Sequence, residues 1–165
     1  MSKNILLIGS QGFLGSHVKN LLDQNHENYQ EIKNKKDVDI RNLEELDKFV
    51  RQNEFKSIIN CSAFVGGIAF GYKYQADLLQ INSLMAVNIY EMAKKYKIEK
   101  VINPISNCVY PGHLELYEEK NFWNGPPHES VFNYGLSKRL MVGLGESIYQ
   151  QYGITTSNVI MSNMY

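Results

Sequence analysis

The sequence is poor in several features that mark particular classes of protein. Its 165 residues include two cysteines, Cys61 and Cys108, which occur in unrelated contexts and without metal-ligand spacing. Neither a disulfide nor a zinc site is therefore indicated, and reduced thiols in a reducing compartment are expected. Seventeen basic residues balance seventeen acidic ones, so no global field favours nucleic acid or an anionic membrane surface. Recognition of any partner must therefore be local.

Long apolar runs are also missing. The first apolar run begins at Ile5, directly after Met1–Asn4, and is too short for a signal peptide or a transmembrane helix. There is no internal repeat or low-complexity tract. The hydrophobic content of 44% is typical of a globular protein. We therefore expect one cytoplasmic domain with a core of its own.

The first chemical signal is a glycine-rich turn. The continuous apolar run Ile5–Ile8 is typical of a buried parallel strand, and a G-x-x-G-x-x-G pattern follows it and opens an amphipathic segment that ends near Leu22. This context predicts a dinucleotide-binding turn, with a plain strand-to-helix turn as the alternative. The predicted cofactor-binding residues of the turn are Gly9, Gln11, Gly12, Phe13, Leu14 and Gly15.

The end of the second predicted strand, residues 29–33, is basic. An acidic residue usually holds the ribose hydroxyls of NAD at this position, but here Lys33, Lys35 and Lys36 cluster instead. Lysines attract a 2′-phosphate, so the sequence favours NADP over NAD, although solvated surface lysines would give the same pattern. Asp39 and Ile40 follow, and we predict that they lie beside the adenine.

The third predicted strand, residues 57–61, leads into Ala63-Phe64-Val65-Gly66-Gly67-Ile68. Paired glycines at the carboxyl end of a strand let a ligand approach the backbone, whereas the alternative is a flexible turn. A long helix is predicted over residues 75–96. It contains Asn82 and Asn88, to which we assign a structural role because buried asparagines usually hold neighbouring backbone.

The fourth predicted strand begins at Lys100 and delivers Ser106 and Cys108 to the same edge of the sheet. Tyr134 and Lys138 lie four residues apart on a later helix, so the ammonium should favour the ionised phenol and lower its pKa. A hydroxyl, a thiol, a phenol and an ammonium together suit chemistry at a carbonyl. Because Tyr-x-x-x-Lys spacing alone is common, its context must decide.

These segments predict a doubly wound α/β fold. We expect a parallel sheet of about six strands in the order 3-2-1-4-5-6, with helices on both faces. Residues 155–161 would form its last strand. The segment between residues 110 and 130 is rich in Pro, Gly and charge and should be an ordered loop beside the site. Its histidines, His113 and His128, receive no catalytic role.

The glycine triplet, the strand-four serine and the Tyr134/Lys138 pair together resemble the extended short-chain dehydrogenase/reductase family that modifies nucleotide sugars. The similarity is strongest to its GDP-L-fucose synthase group. The motifs that carry this similarity are Val65-Gly66-Gly67-Ile68, Ser106-x-Cys108-x-Tyr110-Pro111, and Tyr152-Gly153 followed by Asn163-x-Tyr165.

The resemblance implies specific roles. Ser106, Tyr134 and Lys138 would form the reductase triad, Lys138 would also hold the nicotinamide ribose, and Cys108 would be the base that epimerises carbons next to a ketone. NADPH would deliver a hydride to carbon 4 of a GDP-4-keto-6-deoxyhexose. An acid on the opposite face, a histidine in that family, would lie beyond residue 165. The residues implied to bind cofactor or substrate elsewhere are Ala63, Val65, Gly66, Gly67, Ser106, Asn107 and Asn163.

Three departures from the family pattern keep alternatives open. Gln11 stands where an arginine often contacts the 2′-phosphate, so the NADP preference rests on Lys33, Lys35 and Lys36 alone. Phe64 stands where a lysine is common, which leaves the exact sugar open and admits a related 4-keto-6-deoxy-heptose. Such enzymes also carry a C-terminal substrate-binding domain, so we expect a truncated chain that is inactive alone; full-length relatives pair their long helices as homodimers. The alternative functions are an NAD-dependent sugar 4-epimerase or 4,6-dehydratase and a non-catalytic dinucleotide-binding module. A dehydratase would be expected to carry an Asp-Glu pair where this chain has Asn107-Cys108.

Overall fold

A computed structural model describes residues 4–162. Within this range five strands form one sheet in the order β2-β1-β3-β4-β5, and every neighbouring pair is parallel. The doubly wound parallel class predicted from the sequence is confirmed. The strands are β1 (Ile5–Ile8), β2 (Tyr29–Ile32), β3 (Ser57–Asn60), β4 (Lys100–Ser106) and β5 (Thr155–Met161).

Helices connect the strands. They are α1 (Phe13–Gln24), α2 (Leu43–Val50), α3 (Ile68–Lys73), α4 (Gln75–Lys95) and α5 (Phe132–Tyr152). The chain moves one way across the sheet from β1 to β2 and the other way from β2 to β5. Right-handed crossovers therefore place α1 on one face and α2, α4 and α5 on the other. In agreement, α4 packs against both α2 and α5.

The predicted strand number and order were wrong. The described residues contain five strands rather than six, and β3 pairs with β1 instead of lying outside β2. Two connections explain the difference. Residues 33–42 form turns rather than an extra strand, and residues 107–131 form short 3-10 turns and loops. The predicted last strand, residues 155–161, is β5.

Local caps define the ends of two helices. The Asn42 side chain accepts hydrogen bonds from the backbone N–H groups of Glu44 and Glu45 at the start of α2. Gly153 ends α5 in the left-handed conformation, with a φ of 71°. The short helix α3, which follows the two adjacent glycines, was not predicted.

The register of the sheet brings the predicted site residues to one edge of the sheet. Ile8, at the end of β1, is paired with Asn60 at the end of β3, and β4 runs alongside to Ser106. The carboxyl ends of the three central strands therefore share one edge, where ligands bind in open α/β sheets. Among residues 4–162, none of the helices has the length and apolar character needed to cross a membrane.

Candidate active site

Two adjoining cavities open at the carboxyl edge of the sheet. The larger has a volume of about 720 Å³ and lies over β4 and the start of α5. The smaller, of about 280 Å³, lies over the ends of β1 and β2. Cys61, Ser62 and Ala63, which follow β3, line both cavities. One elongated ligand can therefore extend from one cavity into the other along this segment.

The glycine-rich turn has the geometry that a dinucleotide requires. Gly9 adopts a φ of 81°, which favours glycine, and a Cβ on Gly15 would lie 2.0 Å from the Gly9 carbonyl oxygen. Helix α1 has no side-chain cap and no acidic residue in its first turn. Its N–H groups are thus free to face a pyrophosphate. The buried Ser10 hydroxyl, which lines neither cavity, has no hydrogen-bond partner among the described residues.

The predicted turn residues are distributed unequally around this site. Gly9 and Gly12 line the smaller cavity, and Leu14 lines the larger one. Phe13 does not line either cavity; its ring is 54% exposed and contacts His17 edge-on. The exposed Gln11 side chain accepts a hydrogen bond from the Asn34 amide and so joins the turn to the loop after β2.

The smaller cavity is also lined by the predicted adenosine-binding residues. Lys33 and Lys35 line it together with Asp39 and Ile40, whereas Lys36 does not. The Arg41 guanidinium donates to Asp39, with Nε 2.8 Å from Oδ1, and holds the pKa of that carboxyl below its ordinary value. Arg41 lines the same cavity. Arg41 was not predicted as a site residue from the sequence, although it directly follows Asp39 and Ile40.

The larger cavity brings together the four predicted catalytic residues. Its lining includes Ser106, Cys108, Tyr134 and Lys138. Ser106 ends β4 and begins a 3-10 turn, in which its Oγ accepts a hydrogen bond of 3.3 Å from the Cys108 backbone N–H. Helix α5 lies close to this turn because Gly135 has no side chain. A Cβ there would lie 2.6 Å from the Cys108 carbonyl oxygen.

The predicted effect of Lys138 on the phenol was wrong. Burial, and then the charge of Cys108, raise the pKa of Tyr134 to about 12 instead of lowering it. The Lys138 ammonium lies 5.6 Å from the centroid of the Tyr134 ring and donates a hydrogen bond of 3.3 Å to the Pro104 carbonyl. The i, i+4 spacing places the two groups on one side of α5, but burial rather than Lys138 sets the pKa of the phenol.

Lys138 interacts electrostatically with Cys61 instead, and both residues line the larger cavity. Burial lowers the pKa of Lys138 to about 8, and the charge of Cys61 partly opposes this shift. Burial raises the pKa of the Cys61 thiol to about 11, and the charge of Lys138 partly opposes that shift. Cys61 was not predicted as a site residue, because the sequence places it at the end of the third predicted strand.

The segment with the paired glycines forms one wall of the larger cavity. Val65, Gly66 and Gly67 line it just before α3. A Cβ on Gly66 would lie 2.5 Å from Cγ of Phe70. The Phe70 ring also packs against Phe64, with 5.2 Å between the centroids. Phe64 is thus an apolar packing residue at the position where the family often has lysine.

Of the predicted substrate-binding residues, Asn107 is placed differently from the prediction. Asn107 does not line the cavity; its Oδ1 accepts a hydrogen bond of 3.4 Å from the Ser106 hydroxyl and lies 4.0 Å from the Cys108 sulfur. Asn163 lies outside the described residues.

His113 and His128 line an open shelf beside the larger cavity, where His128 Nδ1 is 2.8 Å from the Ser130 hydroxyl.

Comparisons with known proteins agree with this geometry. The model of the NAD dependent epimerase/dehydratase family matches residues 5–165. A probable GDP-L-fucose synthase of Drosophila melanogaster is 27% identical over 166 residues, which cover 99% of this chain and 52% of that protein. The chain therefore spans about half the length of the curated relatives that it matches.

Solved structures show the same fold. The structure named DdhaC has a TM-score of 0.94 and 25% identity, and the match covers 99% of this chain and 48% of the other. A GDP-L-fucose synthetase from Naegleria fowleri bound to NADP has a TM-score of 0.85 and 25% identity, over 99% of this chain and 54% of the other.

Proposed function

This chain belongs to the NAD dependent epimerase/dehydratase family, and from that premise we propose that it is the dinucleotide-binding part of an NADP-dependent epimerase/reductase. The proposed substrate is a GDP-linked 4-keto-6-deoxy sugar. One observation carries the proposal: Ser106, Cys108, Tyr134 and Lys138 line a single cavity that adjoins the glycine-turn cavity. The relatives named GDP-L-fucose synthase support the choice of sugar and nucleotide.

In this proposal, the phenol of Tyr134 protonates the carbon-4 oxygen during reduction. Its pKa of about 12 keeps it protonated near neutral pH, as a proton donor requires. Ser106 donates a hydrogen bond to the same oxygen, and Lys138 holds the nicotinamide ribose. Bound NADPH supplies the hydride that reduces carbon 4.

Epimerisation requires a base next to the ketone. In the proposal, the thiolate of Cys108 removes a proton from the carbon alpha to the carbonyl, so the C–H bond breaks and an S–H bond forms. The electron pair moves to the carbonyl oxygen, where Ser106 and Tyr134 stabilise the enolate by hydrogen bonding. Reprotonation from the opposite face is assigned to an acid beyond residue 165.

NADP is the proposed cofactor, with NAD as the less favoured one. Lys33 and Lys35 line the adenosine end of the smaller cavity, where their charge favours a 2′-phosphate. The Asp39 carboxylate, which would repel that phosphate, is paired with Arg41. The NADP-bound Naegleria structure adds support from a relative.

Three further features complete the proposal. The chain would act together with a C-terminal substrate-binding domain, as the greater length of its relatives suggests, and would be inactive alone. The protein would form a homodimer through α4 and α5. Its location would be the cytoplasm, because both Cys61 and Cys108 are free thiols.

The function is tested by incubating the full-length protein that contains these residues with GDP-4-keto-6-deoxymannose and either NADPH or NADH. We expect stoichiometric loss of the reduced-cofactor absorbance with product formation, faster with NADPH. Product formed without net cofactor consumption would indicate an epimerase or dehydratase that retains its cofactor. Cofactor binding without product would indicate a non-catalytic module, and either result would contradict the proposal.

A further inference from the structure

The loop between the two cavities is held by a buried asparagine of α4. Residues 61–67 have no regular secondary structure, so their backbone groups need other partners. Asn82 is 2% exposed. Its Oδ1 accepts a hydrogen bond of 2.9 Å from the Phe64 N–H, and its Nδ2 donates to the carbonyls of Phe64, at 2.8 Å, and Leu78, at 2.7 Å. The amide therefore fixes both polar groups of the Phe64 backbone.

A second asparagine of the same helix holds the other loop. Asn88 is 4% exposed, and its Nδ2 donates to the carbonyls of Ile40 and Arg41, each at 2.9 Å. Both of those residues line the smaller cavity. The structural role that the sequence predicted for Asn82 and Asn88 is confirmed, and each amide supports a different cavity wall.

The loop after β3 is also fixed from the sheet. Oδ1 of Asn60 accepts hydrogen bonds from the Ser62 N–H, at 3.2 Å, and the Ser62 hydroxyl, at 2.5 Å. Ala63 therefore lies between two anchored residues, Ser62 and Phe64. Ala63 is also part of the wall that the two cavities share. Any change in its position would alter the passage between them.

We propose that Asn82 is a positioning residue for the dinucleotide: it fixes the Ala63–Phe64 backbone so that the adenosine half and the nicotinamide half of one ligand occupy the two cavities together. This inference rests on the proposed function, because the ligand is the dinucleotide cofactor. Asn82 acts through the loop and does not line either cavity. Its loss should therefore affect a ligand that spans both cavities more than a ligand confined to one.

The test compares Asn82→Leu with Asn88→Leu, a matched change of a buried asparagine on the same helix. Calorimetry measures the Kd of NADP and of adenosine 2′,5′-bisphosphate, and hydrogen exchange measures protection of the Phe64 amide without ligand. For Asn82→Leu we expect a loss of about tenfold or more in NADP affinity, a smaller loss for the adenosine fragment, and faster exchange at Phe64. For Asn88→Leu we expect similar losses for both ligands and a protected Phe64 amide.

Asn82→Asp is the second variant, in case Asn82→Leu does not fold. It keeps the acceptor for the Phe64 N–H but loses the donors to the Phe64 and Leu78 carbonyls. We therefore expect the same changes in ligand affinity and in exchange at Phe64, but smaller ones. The inference is overturned if a folded Asn82 variant deprotects Phe64 yet binds NADP like the parent, or if it weakens both ligands equally. A parent protein that binds no dinucleotide would instead overturn the proposed function.

Discussion

Lys138 is the charged side chain with the least favourable surroundings in the site. It is 3% exposed, and burial lowers its pKa from 10.5 to about 8. Below pH 8 the folded protein must keep a buried cation, whereas the unfolded chain solvates it. This penalty decreases as the pH rises from about 8 to 10.5, because the folded state releases its proton first. A residue that we assign to cofactor binding therefore reduces the stability of the cofactor-free protein.

We predict that Lys138→Met stabilises the cofactor-free chain at pH 7. The gain should be at most about 3 kcal/mol, from the size of the pKa shift, and should decline between pH 8 and 10.5. Urea unfolding of parent and variant across this pH range measures it. Lys48→Met, at an exposed position of α2, is the control and should change stability by less than about 0.5 kcal/mol. A destabilised Lys138→Met at pH 7 would contradict the argument.

Side-chain chemistry was predictable from the sequence, but its electrostatics were not. The spacing of Tyr134 and Lys138 on one helix is a local property, so their proximity could be anticipated. The raised pKa of Tyr134 depends on burial and on Cys108, and the electrostatic effect of Cys61 on Lys138 depends on where β3 ends. Both electrostatic effects result from tertiary packing, which cannot be inferred from the spacing of residues within one helix.

At the scale of single elements, helix α5 provides a direct test of how the site is assembled. Gly135 and Gly143 lie on the same helix, but their surroundings differ. A Cβ on Gly135 would lie 2.6 Å from the Cys108 carbonyl oxygen and 2.9 Å from Cβ of Pro127, whereas a Cβ on Gly143 would meet nothing within 4 Å among the described residues. Only the first glycine is needed for close packing of α5 against the Ser106–Cys108 turn.

We predict opposite effects for the same substitution at these positions. Gly143→Ala should stabilise the chain by up to about 1 kcal/mol through helix propensity. Gly135→Ala should destabilise it by about 1–3 kcal/mol through overpacking, and should also weaken NADP binding by displacing Tyr134. Thermal unfolding and calorimetric titration measure both effects. Equal effects of the two substitutions would show that α5 is not positioned by this contact.

The elements with strong sequence patterns were placed correctly, but the position of β3 in the sheet and the short helix α3 were not predicted. The apolar runs of β1 and β3 and the periodicity of α4 are properties of contiguous segments. The position of β3 beside β1 depends instead on where the α2 crossover returns to the sheet. The short helix α3 depends on packing of Phe70 against Gly66, so local propensity gave no sign of it.

At the scale of the whole molecule, apolar side chains remain exposed on the two long helices. Leu84 and Val87 on α4 are 41% and 40% exposed, and Leu140 on α5 is 39% exposed. We predict that the 165-residue chain forms a dimer through this surface, so light scattering should give about twice its mass of 19.0 kDa. Val87→Glu should yield monomer with NADP affinity unchanged. A parent chain that is monomeric at high concentration would contradict the prediction.

We propose that one cavity performs both epimerisation and reduction, with Cys108 and Tyr134 in separate roles. Solvent deuterium incorporation next to the ketone of GDP-4-keto-6-deoxymannose, measured with the full-length protein, distinguishes the two roles. Cys108→Ser should abolish incorporation while NADPH binding persists, because a hydroxyl is a far weaker base than a thiolate. Tyr134→Phe should retain some incorporation but lose carbon-4 reduction. Incorporation at the parent rate in Cys108→Ser would show that Cys108 is a packing residue and that the epimerase assignment is wrong.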